Sequence, residues 1–146
     1  MAGALAAGVL VAGVVTLGPP AVYFLTGYGC GDAEDRLAGV LAGEGVLEAE
    51  PEWAEREESY RSCDDDDLFV VAGARYELAG SAADSSRSVL GHYRQAALAD
   101  GWQAHSTAGC FTKAVGGTTA YLQVENPADG GFHVEIVAQR DGSQWC

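Results

Sequence analysis

The first 31 residues contain no Asp, Glu, Lys or Arg. Residues 2–25 read AGALAAGVLVAGVVTLGPPAVYFL, apolar apart from Thr16. About 20 such residues, coiled as a helix, cross a hydrocarbon core roughly 30 Å thick, so this stretch is long enough to span a membrane. Pro19 and Pro20 kink the helix or end its regular part. Tyr23, Phe24 and Tyr28 then fall where an interfacial aromatic belt lies. A globular helix of this length would carry a polar face, and this stretch has none. The expectation is a single transmembrane helix within residues 1–29, with membrane lipid as its partner.

Retention of that segment is favoured over cleavage. No Lys or Arg precedes the apolar run, whereas a secretory signal peptide starts with a basic region. Gly27, Tyr28 and Gly29 ahead of Cys30 match a lipoprotein processing site poorly, because Gly27 stands where an aliphatic residue is wanted. Lipid on Cys30 would also leave an odd number of cysteines. The expected location is the cell membrane, as a single-pass protein with its C-terminal domain outside the cytoplasm. A lipid-anchored form is the second reading.

The four cysteines Cys30, Cys63, Cys110 and Cys146 stand far apart, with no C-x-x-C pair and no histidine at ligand spacing. Zinc sites bring their ligands in close pairs, which disfavours a metal. An even count outside an inner membrane points to two disulfides, and three pairings are open. Cys30 with Cys63 and Cys110 with Cys146 is preferred, because each bridge then closes one unit of the chain.

Charge divides the body sharply. The chain carries a formal net charge of −13, and most of it falls in residues 32–67. An acidic surface repels phosphate backbones, which excludes nucleic acid as a partner. Within residues 30–67, Asp32 is placed as the N-cap of a short helix with Leu37, Val40 and Leu41 on its apolar stripe, ended by Gly43 and Gly45. The stretch EAEPEWAEREESYR reads as a loosely ordered acidic connector in which Trp53 and Tyr60 are docking residues. Asp64, Asp65, Asp66 and Asp67 follow Cys63. Successive residues of an extended chain point to opposite sides, so four in a row cannot all face one cation, and EF-hand spacing is absent. A solvated loop is the reading, and no metal or other cofactor is assigned.

Residues 68–146 read as the folded domain. Leu68 to Leu78 is a tight hairpin or one bulged strand around Ala72, Gly73 and Ala74. A helix over residues 88–100 puts Val89, Leu90, Tyr93, Ala96 and Ala97 on one side and stops at Asp100 and Gly101. Three strands follow, separated by Gly116 and Gly117 and by a turn over residues 126–131. Ala120, Leu122 and Val124 face one way in the second. Phe132, Val134, Ile136 and Ala138 face inward in the third. The fold class is α+β: a transmembrane helix, a short helix, then a strand-helix-strand-strand-strand unit with a helix packed on an antiparallel sheet.

The run VLGHYRQAALADGW, followed by C-F-T-K, a Gly-Gly turn, AYLQV and a final strand, resembles small envelope domains of bacteria. With its Ala, Gly, Val, Asp and Arg usage and Cys63 ahead of four aspartates, the chain is similar to uncharacterised membrane-anchored extracytoplasmic proteins of high-G+C actinobacteria. The resemblance covers about residues 30–146 and implies a fold and a location. It brings no catalytic motif.

No G-x-S-x-G, H-E-x-x-H, P-loop or dinucleotide-binding pattern is present. His92, His105 and His133 are the only histidines, and His133 shares an outward strand face with Glu135 two residues on. Strand surfaces place residues so as a matter of course. Trp53 and Trp102 read as packing anchors, and Trp145 as the cover of a disulfide at Cys146. No catalytic residue is assigned. The expected role is a non-enzymatic protein-interaction module of the cell envelope, with another envelope protein as partner. The alternative is a carrier of a small ligand or cation, using the aspartate run or a pocket between helix and sheet.

Overall fold

The computed structural model describes residues 29–79, 85–125 and 127–146. The expected transmembrane helix lies outside the described residues. Among the described residues, no helix is long and apolar enough to cross a membrane.

The body is α+β. Helix α1 (Asp32–Ala42) and a 3-10 turn (Gly45–Glu48) lead into β1 (Ala54–Cys63) and β2 (Phe69–Leu78). Helix α2 (Ser85–Ala99) is followed by the short β3 (Gln103–Ala104), then β4 (Cys110–Val115), β5 (Thr118–Val124) and β6 (Gly131–Gln139). The six strands form one antiparallel sheet in the order β1-β2-β6-β5-β4-β3.

The structure corrects one expectation for residues 30–67 and decides between the two left open for residues 68–78. The stretch taken as a loose connector contains β1, a ten-residue edge strand. Its outward glutamates hid a strand from any apolar count, because only Ala54 along it is buried. Edge strands rich in charge are common, since charge discourages pairing with another chain. Residues 68–78 form no hairpin. They are one strand, and the bulge lies in β1 between Arg56 and Glu58.

Both helices cover the same face of the sheet. From β2 come Val70, Ala72, Ala74 and Tyr76, and from β6 come Phe132, Val134, Ile136 and Ala138. Ala120 and Leu122 of β5 and Phe111 of β4 continue this layer, which meets Leu37, Ala38 and Leu41 of α1 and Val89, Tyr93 and Ala97 of α2. Tyr76 stacks on Phe132 at 5.0 Å, with Tyr93 edge-on to Phe132 at 6.0 Å. The α1 stripe differs from its expected form in one place: Ala38 is buried and Val40 is 48% exposed.

Helix ends follow local chemistry. Gly31, not Asp32, caps α1, and its N–H donates to Glu34 Oε2 at 3.1 Å. Arg140, just past β6, reaches the other oxygen of Glu34 at 3.2 Å. Helix α2 stops at Gly101, whose φ of +83° is the left-handed conformation that glycine adopts freely. Asp100 beside it gathers three elements: its Oδ2 accepts from Val46 N–H at 3.2 Å and from Trp102 Nε1–H at 3.2 Å, and lies 3.6 Å from Lys113 Nζ. Lys113 also donates to Glu44 at 2.6 Å and sits over the Trp102 ring. Gly116 and Gly117, both at positive φ, form the tight β4–β5 turn, and Asp129 and Gly130 do the same ahead of β6.

Asp100→Ala removes the acceptor shared by two partly buried donors and one cation. It should lower unfolding free energy by about 1–3 kcal/mol in denaturant melts, with Asp100→Asn milder. Glu34 is held below the ordinary carboxylate range: burial opposes its charge, and the Gly31 N–H and Arg140 more than offset that. A depressed carboxylate contributes stability above its unfolded pKa and loses it as pH falls through the folded value. The wild-type melting temperature should therefore drop below about pH 4.5 more steeply than that of Glu34→Gln.

Candidate functional site

The outer face of the sheet, opposite the helices, carries the charged residues Arg75 and Glu135 together with Tyr60 and His133. Tyr60, Gly73, Glu135, Gln123 and Cys110 pair in one row across β1, β2, β6, β5 and β4. The Tyr60 hydroxyl donates to Glu135 Oε2 at 3.0 Å. It spans β2 to do so, and Gly73 is what allows the crossing. A Cβ on Gly73 would lie 2.8 Å from Tyr60 Oη, 2.7 Å from the Val134 carbonyl and 2.9 Å from Glu135 Cβ. Burial pushes the Tyr60 phenol well above its ordinary value, and the neighbouring Glu135 carboxylate adds to the shift.

The next row holds Glu58, Arg75 and His133. Arg75 Nε–H donates to His133 Nε2 at 3.1 Å, which makes Nε2 the unprotonated ring nitrogen. Beside this pair is a cleft of about 410 Å³ lined also by Glu57, Glu77, Glu125 and Asp129. His133 and Glu135 do share the outer face, but they do not bond to each other: each is held by a different strand. A nucleophile-base pair with an orienting group is the arrangement that acyl or phosphoryl chemistry wants, and these two pairs do not make one.

The other end of the outer face is covered by Trp145 and Cys146. The Trp145 ring packs on Phe69 at 4.8 Å, and its carbonyl accepts from Gln123 Nε2 at 2.6 Å. Cys146 is bonded to Cys110. Val71, Tyr121 and Val137 are buried although they point to this face. Trp145 therefore caps an apolar patch as well as flanking its disulfide. The second bridge joins Cys30 to Cys63, so the pairing is the one in which each bridge closes its own unit.

The remaining sequence candidates have structural roles. His92 Nε2–H donates to the Ala49 carbonyl at 2.7 Å. His105 Nδ1 accepts from Thr107 N–H at 3.3 Å. Trp53 packs against Phe132 and His92, inward and not toward a partner. In the aspartate run, Asp64 Oδ1 accepts from the N–H groups of Asp66 and Asp67 at 3.0 and 2.8 Å. Asp65 Oδ1 accepts from Cys30 N–H at 3.0 Å. Two of the carboxylates are thus used to shape the β1–β2 turn. Among the described residues, no cluster of His, Cys, Asp and Glu is placed to hold a metal ion.

Gly73 is the residue that sequence reasoning missed, since a glycine between two alanines also reads as a turn. Its signal is a glycine in the middle of an otherwise apolar strand, which marks close approach of another group. No protein-family model matches the chain, and neither does any curated protein or solved structure.

Gly73→Ala forces a Cβ against a backbone carbonyl. It should destabilise the fold by about 1–3 kcal/mol and break the Tyr60–Glu135 bond, read as a drop in the Tyr60 pKa on ultraviolet titration.

Proposed function

We propose that residues 30–146 are the extracytoplasmic body of a single-pass membrane protein, acting as a non-enzymatic interaction module of the cell envelope. The outer sheet face is its contact surface, and another envelope protein is its partner. The observation that carries this reading is the fixed set of side chains on that face: Tyr60 bonded to Glu135 and Arg75 to His133, beside the Trp145–Phe69 contact. Tyr, Trp and Arg dominate protein–protein hot spots, and side chains already held in place lose little entropy on binding. The location is supported by two disulfides, which persist in oxidising compartments, and by the uncharged stretch of residues 1–31.

The test is made on the full chain in its native membrane. A photo-crosslinking amino acid at position 58, in the outer-face row of Arg75 and His133, should yield one discrete protein adduct. The same probe at Arg36 of α1 should not, and Tyr60→Ala together with Arg75→Glu should abolish the adduct. Thiol alkylation without reductant should label no cysteine. Equal crosslinking from both positions, or recovery of the chain in the cytosolic fraction with four labelled thiols, overturns the reading.

A further inference from the structure

A second feature lies on the helical side of the sheet, away from the outer face. A groove of about 330 Å³ runs between α2 and the β3–β4 connection. Leu90, Ala108 and Phe111 give it apolar walls, and Arg94 and His105 also line it. Its size falls within the usual range for small-ligand sites, roughly 300–1,000 Å³.

Gly91 is the residue that opens the groove. A glycine inside a helix costs about 1 kcal/mol relative to alanine. Among the described residues nothing requires one here: a Cβ at position 91 would meet none of their atoms within 4 Å, and its φ is not among the positive ones. Its absence deepens the groove to the helix backbone. Gly109 closes the opposite wall. At φ +79° its backbone lies so close that a Cβ would be 3.1 Å from Leu90 Cδ2 and 2.7 Å from the Val124 carbonyl. Leu98, two turns beyond Gly91 on α2, is 49% exposed.

Two donors line the groove. Arg56, Lys113 and Arg140 are each paired with carboxylates, whereas Arg94 makes no ion pair among the described residues. His105 Nδ1 accepts from Thr107 N–H, so the ring presents its Nε2–H as a donor. A cation and a neutral donor beside an apolar trough, on a chain with a net charge of −13, suit a ligand with one anionic head and a hydrocarbon body. We propose that this groove binds a medium-chain fatty acid, its carboxylate held by Arg94 and His105 and its chain lying over Leu90 and Gly91 toward Phe111.

The experiment uses the full chain, isotope-labelled and reconstituted in lipid nanodiscs, titrated with decanoate. The amide resonances of Leu90, Gly91, Ala108 and Gly109 should shift saturably, and Arg94→Gln should weaken the apparent affinity about tenfold. Gly91→Leu should abolish binding while leaving the melting temperature equal or higher, because leucine is the better helix former. Methyl decanoate, equally apolar and uncharged, serves as the control. A matching response to methyl decanoate, an unchanged response in Gly91→Leu, or shifts produced only by a peptide with a free C-terminal carboxylate each overturn the proposal.

Discussion

The pairing of β2 with β6 is the contact on which the body depends. Nine residue pairs, from Phe69 with Gln139 to Glu77 with Gly131, join strands that no short turn connects. The β1–β2 hairpin lies on one side of this seam and the β4–β5–β6 meander on the other. Register across such a seam must come from burial, because a slip of one residue would exchange the two faces of the sheet. Val70, Ala72, Ala74 and Tyr76 opposite Ala138, Ile136, Val134 and Phe132 allow one alignment that keeps these eight residues under the helices.

Helices α1 and α2 then have a common floor, and polar groups decide how they sit on it. Asp100, Lys113, Glu44 and Trp102 join the end of α2, the 3-10 turn and β4 at one point. Burial works against the Lys113 charge, yet Glu44 and then Asp100 hold its pKa above the ordinary lysine value. Glu34 links the start of α1 to Arg140 in the same manner. Each knot uses a partly buried charge with a partner, an arrangement that favours one geometry over its neighbours more than it adds net stability.

Much of the domain is legible from periodicity. The inward residues of β5 and β6, the buried stripe Val89, Tyr93 and Ala97, and the Gly116-Gly117 turn all follow from spacing and glycine chemistry. The failures share one cause. β1 presents glutamate and arginine to solvent along most of its length, so its strand character comes from pairing with β2 and leaves no apolar alternation to count. The Tyr60–Glu135 and Arg75–His133 pairs are equally invisible in sequence, since their partners lie 75 and 58 residues apart. His133 and Glu135 stand on one face as strand geometry requires, but cross-strand neighbours decide what each of them holds.

The bridge from Cys30 to Cys63 has a mechanical meaning. It closes a covalent ring around α1, the 3-10 turn and β1, with 33 residues of sequence separation. Tension arriving along the chain ahead of Cys30 crosses the sulfurs directly to the far end of β1, so the ring's contents carry none of it. Helix α1 is thereby shielded from any pull transmitted from that side, for as long as the sulfur–sulfur bond stays intact.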